Sequence, residues 1–143
     1  MIAVDTNILA YAHRPESEFH ASALNVVRSL AEGDQNWAIP WPCIHEFLAL
    51  VTHPKVFKQP TSITDALAQV DVWMSSPTAR IIGEKEGYFP ILRSVLERGS
   101  IVGPKVHDGR ICAICLVNGV KRLYSADRDF SRFMSSLTVI NPL

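Results

Sequence analysis

No apolar run in this sequence reaches the roughly 18 residues that a membrane-spanning helix needs. Nor does a basic start lead into an apolar stretch and a small-residue cleavage site, as a secretory leader would. The chain is therefore expected in the cytoplasm, with no membrane partner. Cysteine is scarce: Cys43, Cys112 and Cys115 are the only three, an odd number that excludes a fully paired disulfide framework. The "CAIC" at 112–115 lacks the further Cys or His that zinc requires, and it does not open a helix as a redox pair does. Its thiols lie three apart inside "ICAICLV", on one helix face, and are expected to pack as small hydrophobes. "HE" at 45–46 begins a zinc-protease motif, but position 49 is Ala49 where a second His is needed. His107, alone at a helix start, reads as a surface or capping residue. Zinc is excluded.

Net charge is also missing. Fourteen Lys/Arg balance fourteen Asp/Glu, without the overall basic excess of a strong nucleic-acid binder. The balance is uneven along the chain. Residues 1–92 hold six basic and ten acidic side chains, whereas 93–143 hold eight and four. Arg110, Lys121, Arg122, Arg128 and Arg132 of that last third form either an ordinary solvated surface or a positive rim beside an acidic centre at Asp108, Asp127 and Asp129.

At 143 residues the chain is expected to form one domain, spanning 1–143, with a core of its own. Strand-like and helix-like segments alternate. "IAVD" (2–5) is a strand running into the helical piece "NILAYA". "EFHASALNVVRSLAEG" (18–33) places Phe19, Ala23, Val26, Val27 and Leu30 on one helical face and stops at Gly33. "WAIP" (37–40) is a buried strand, with Pro42 in the first turn of the helix "CIHEFLALV". A proline-broken loop follows, and Ser62 with Asp65 opens the helix at 63–74 as a capping box. "ARII" (79–82) is a third strand and 88–99 a helix. The helix at 108–119 ends at Gly119, "RLYSA" (122–126) is a fourth strand, "RDFSRF" a short helix, and "LTVI" (137–140) a last strand. This alternation predicts a parallel sheet with helices on both faces, a three-layer α/β sandwich.

In such sheets, sites form outside the carboxyl ends of the strands. Asp5 closes the first strand, and Asp127 follows the fourth. Glu46 lies about one turn into the helix after the second, and Asp108 starts the helix before the fourth. Asp5, Asp108 and Asp127 each also stand where an N-cap belongs. Glu46 sits in a largely apolar helix, where a buried Glu needs a partner. Capping accounts for three acids one by one but not for their common edge. Two carboxylates ~4 Å apart repel by about 4 kcal/mol at an effective dielectric near 20. Convergence therefore requires protonation or a divalent cation, and oxygen-only ligands suit Mg²⁺ or Mn²⁺. Such a cation near basic side chains suits phosphate chemistry. Asn7 and Ser125 are placed to orient a carboxylate or a bound water, although Asn7 is equally suited to a turn.

"VDTNILAYA", "HEFLAL", "HDGRICAICLVNGV" and "SADRDF", in this order, resemble the PIN-domain nucleases, and more narrowly the VapC toxins of toxin–antitoxin pairs. The similarity runs over essentially the whole chain. It implies a metal-dependent endoribonuclease whose acidic cluster corresponds to Asp5, Glu46, Asp108 and Asp127. Asp5 and Asp108 are then direct ligands of the ion, with Glu46 and Asp127 completing the cluster directly or through water. Asp129 either assists or caps the short helix before Phe130. The resemblance further implies RNA as substrate, a small antitoxin that inserts a peptide at the acidic groove, and a homodimer. Family members commonly carry Thr in place of Ser125 and often Ala in place of Gly109, changes that keep the local chemistry. Trp41, Phe57 and Trp73 are candidate partner contacts but read more readily as core, and the loop 53–60 as a flap near the substrate.

Two other functions are weighed against this one. A non-toxic RNA-processing nuclease would use the same residues. A phosphotransfer domain with Asp5 as nucleophile would need a second Asp at position 7, which is Asn7.

Overall fold

The computed structural model describes residues 1–133 and 137–143. Five short strands alternate with six α-helices. Strand β1 (Ile2–Val4) leads into α1 (Thr6–His13) and α2 (His20–Glu32); β2 (Trp37–Pro40) leads into α3 (Trp41–Val51) and α4 (Ile63–Met74). Strand β3 (Ala79–Ile82) leads into α5 (Tyr88–Arg98) and α6 (Val106–Val117); β4 (Arg122–Tyr124), a 3-10 stretch (Arg128–Phe133) and β5 (Thr138–Ile140) complete the order. The sheet runs β3-β2-β1-β4-β5, and every pair is parallel. The α/β layering expected from the sequence is what forms.

The order explains where a site can lie. From β1 the chain moves outward to β2 and β3, and α1 packs on α2 and α3 while α3 packs on α4. It then returns across the sheet to β4, with α5 packed on α6. Right-handed crossovers in opposite directions put these two helix groups on opposite faces. The direction changes between β1 and β4, and a crevice opens there at the carboxyl edge.

Burial follows layering. All four residues of β2 are buried, because a central parallel strand is covered on both faces. Phe47 of α3 is fully buried, edge-on to Trp73 of α4 at 4.7 Å and to His13 of α1 at 5.3 Å. Burying such a side chain contributes about 1.5–3 kcal/mol. Ser62 Oγ accepts from the Asp65 amide at 3.1 Å, capping α4 as the sequence predicts.

Several expectations need correction. Ala23 and Val27 of α2 are buried, but Phe19 is exposed, one residue before the helix, and leans on Tyr11. Trp41 is exposed, not core. Helix α6 begins at Val106, after a 3-10 turn through Pro104, so Asp108 lies inside its first turn and not at its cap. Strand β4 ends at Tyr124, although the Ser125 amide still donates to the Ile140 carbonyl. The 53–60 loop lies beside the far end of α1. Arg14 donates to the Gln59 carbonyl and the Thr61 hydroxyl and covers the Phe57 ring. Eight residues of helix, about 12 Å, separate that end from Asp5.

Candidate active site

Asp5 is the first residue past β1, buried to 5 % exposure. Its amide donates to the Tyr124 carbonyl, so the strand pairing with β4 holds its backbone. Both carboxylate oxygens are bound. Oδ1 accepts from the Thr6 amide at 2.8 Å and from the Cys43 thiol at 3.7 Å; Oδ2 accepts from Ser125 Oγ at 2.7 Å and Asn7 Nδ2 at 3.1 Å. Burial nevertheless pushes its pKa up to about 6, the Glu46 charge adding to the rise while the Ser125 and Thr6 bonds oppose it. The hydrogen bonds favour the anion, but loss of water outweighs them.

Glu46 reaches the same point from α3. Its Oε2 accepts the Thr6 hydroxyl at 2.7 Å. Thr6 therefore binds two acids at once, Asp5 through its amide and Glu46 through its side chain. The expectation that Glu46 is buried is overturned: the residue is exposed, because its position on α3 turns it out of the core that Phe47 fills. Thr6 is a site residue that the sequence motifs do not mark. The only sign of it was a hydroxyl residue between Asp5 and Asn7, and nothing local reports a partner 40 positions away.

Asp108 projects from the first turn of α6, half-buried. No side chain caps that helix, so the capping alternative for Asp108 falls. Its pKa is raised by burial, then by the charges of Asp127 and Glu46, with Lys105 and His107 pulling the other way. Gly109, the next residue, lies where α6 crosses α5. A Cβ there would come within 2.7 Å of Leu96 Cδ2, the end of a flexible side chain on α5, so the two helices are in close contact at this point.

Asp127 is exposed and does cap locally, its Oδ1 accepting from the Asp129 amide at 2.8 Å. Its own amide donates to Ser125 Oγ. Asn7 ties the two halves of the crevice together: its Nδ2 donates to Asp5 and to Ser125, and its Oδ1 accepts from the Ala126 amide at 3.0 Å. Asp129 forms a 3.8 Å ion pair with Lys105, whose charge also acts on Asp108.

The four acids thus share one edge and act on one another electrostatically. They do not close into a tight cage: among the described residues, no three His, Cys, Asp or Glu side chains stand close enough to enclose an ion. For a hard cation such as magnesium or manganese it is the donor chemistry that fits, not a closed cage. The donors are oxygens. The thiols do not compete, since burial pushes those of Cys43, Cys112 and Cys115 up and keeps them protonated.

The basic rim is only partly as expected. Arg110 lies on α6, two residues past Asp108, and is paired with Glu84. Arg128 is exposed beside Asp127. Lys121 and Arg122, however, stand at the amino end of β4. Three residue steps, about 10 Å along the strand, separate Arg122 from Ser125, so these two cations stand at the opposite edge. The Arg132 side chain is outside the described ones.

The whole arrangement has relatives. The family described as PIN domain matches residues 2–134. Ribonuclease VapC43 of Mycobacterium tuberculosis is 33% identical over 133 residues, covering 93% of this chain and 90% of its own. VapBC2 of Rickettsia felis, solved bound to a DNA fragment from its promoter, superposes with a TM-score of 0.67 at 22% identity, covering 98% of each chain. The sarcin–ricin-loop-cleaving toxin VapC20 of Mycobacterium tuberculosis superposes with a TM-score of 0.66 at 19% identity, covering 92% of this chain and 93% of that one.

Proposed function

The chain belongs to the PIN-domain family, and from that premise we propose that it is a magnesium-dependent endoribonuclease serving as the toxin of a toxin–antitoxin pair. One observation carries the mechanism: Thr6 joins Asp5 to Glu46 on the edge where Asp108 and Asp127 also stand. The toxin role rests on VapC ribonucleases similar over most of the chain.

Asp5 and Asp108 are the residues that would hold the ion, Mg²⁺ or Mn²⁺, with Asp127 completing the set through water. When bound, it supplies a Lewis acid that activates water and stabilises the departing oxygen of a phosphodiester. The chain does the rest by position and charge. Ser125, Asn7 and the Thr6 amide hold the Asp5 carboxylate in one orientation. With Oε2 of Glu46 held by Thr6, Oε1 is the oxygen assigned to take the proton from the attacking water. Arg110 and Arg128 flank the acids and attract the phosphate backbone. The same reading carries a small antitoxin covering the acidic edge, and a homodimer.

Purified protein should cut RNA with Mg²⁺ or Mn²⁺ and lose that activity in EDTA or as Asp5→Asn. Full cleavage in EDTA would overturn the mechanism. Induced expression should arrest growth, and co-expression of a small protein encoded beside the gene should relieve the arrest. An active but harmless nuclease would instead favour RNA processing.

A further inference from the structure

Trp41 is one of three tryptophans in the chain, and its place is unlike the others. Trp37 and Trp73 are buried, whereas Trp41 is 41 % exposed. It is the first residue of α3, immediately past the carboxyl end of β2. In the β1–β2 register Ala3 pairs with Ala38, which sets Asp5 opposite Pro40 and puts Trp41 one step beyond. Adjacent strands lie about 4.8 Å apart, so the main chain at Trp41 stands about one strand over from the buried acid.

The ring is held, not loose. His45, one helical turn on and also exposed, stacks against it with ring centroids 6.1 Å apart and planes 27° from parallel. On the β3 side stands Gly83, where a Cβ would come within 3.3 Å of Trp41 Cδ1. A side chain there would crowd the indole, and glycine leaves room for it. Glu46 follows His45 directly in the chain. An exposed, pre-stacked aromatic pair thus sits on the same edge as the acids and is continuous with them through α3.

We propose that Trp41 and His45 form a stacking platform for one nucleobase of a single-stranded RNA whose scissile phosphate lies at Asp5 and Glu46. The proposal rests on the nuclease reading above. Unpaired bases are recognised by stacking on aromatic rings, and a rigid pair orders the base with little loss of side-chain freedom. The platform lies on the β2–β3 side of the acids, while Asp127 and Arg128 lie on the β4–β5 side. The strand would therefore cross the edge from one to the other. Trp41 then positions substrate and takes no part in the bond-breaking.

The experiment is a binding cycle in the catalytically inactive Asp5→Asn background, with fluorescein-labelled single-stranded RNA read by anisotropy. Trp41→Ala should weaken binding between about fivefold and a hundredfold, and Trp41→Phe should restore most of the loss. An RNA with one abasic site should lose affinity for the Asp5→Asn protein at a single position. At that position the additional Trp41→Ala change should cost nothing further. Indole fluorescence should fall on RNA addition and stop responding in Trp41→Phe. Trp41→Ala losing equally on every abasic RNA, or binding as its parent does, would overturn the platform. So would a change of oligomeric state with Trp41→Phe folded, since the face would then belong to a second copy. Those outcomes leave the nuclease reading standing, because that reading is tested by cleavage itself and fails if cleavage survives EDTA or the Asp5→Asn change.

Discussion

Ser125 Oγ donates to Asp5 Oδ2 at 2.7 Å across 120 positions of sequence. The bond crosses from β4 to β1, the pair of strands between which the chain reverses direction. It gives a carboxylate stripped of water a donor in the solvent's place, and it favours the anion against that burial.

Asp5 should therefore make stability depend on pH. Its folded pKa of about 6 lies above the ordinary aspartate value of 3.8, so the folded state binds the proton more tightly. The stabilisation is present at low pH and is lost as pH rises through about 6. A shift of this size is worth about 3 kcal/mol. Urea unfolding without divalent ions should show Asp5→Asn gaining on the natural chain from pH 4 to pH 8. Mg²⁺ at pH 8 should narrow the gap. A gap that stays constant with pH would contradict the account.

Thr6 is the link that the sequence did not announce. Thr6→Val keeps the amide donation to Asp5 and deletes the hydroxyl bond to Glu46. Loss of a group that orients a metal-site residue lowers affinity or activity by about 10- to 100-fold. Cleavage and calorimetric Mn²⁺ affinity should fall together, and Thr6→Ser should recover both. If Thr6→Ser is as impaired as Thr6→Val, the hydroxyl is not the acting group.

Charge placement separates two sets of cations. Lys121→Ala and Arg122→Ala, at the amino edge, should leave RNA cleavage within about twofold, because a charge beyond a Debye length of about 8 Å is largely screened. Arg128→Ala, beside Asp127, should weaken RNA binding and flatten its salt dependence. Comparing KM for the three variants at two salt concentrations decides it, and equal losses would refute the assignment by edge.

Local chemistry made much of this molecule readable in advance. Periodicity 2 against 3.6 marked the strands and helices, and Ser62 marked the start of α4 because a cap acts within one turn. The acids were legible as ends of elements, since a charge that closes a buried strand must face the edge. Where the reading failed, the deciding contact was remote. Glu46 looked buried because its helix is apolar, but only packing decides which face of α3 meets α1 and α4. Trp41 looked like core because it is large and apolar, and only the position of Gly83 and the turn out of β2 left it exposed.

The sequence by itself determined the layering, the parallel sheet and the list of acids, because these follow from the spacing of apolar residues and the chemistry of each side chain. Only the tertiary structure decided which groups meet. It put Thr6 between Asp5 and Glu46, set Ser125 against Asp5, and sent Lys121 and Arg122 to the far edge. The reason is geometric: propensity acts over a few residues, whereas strand order and register fix distances between residues that the chain itself keeps far apart.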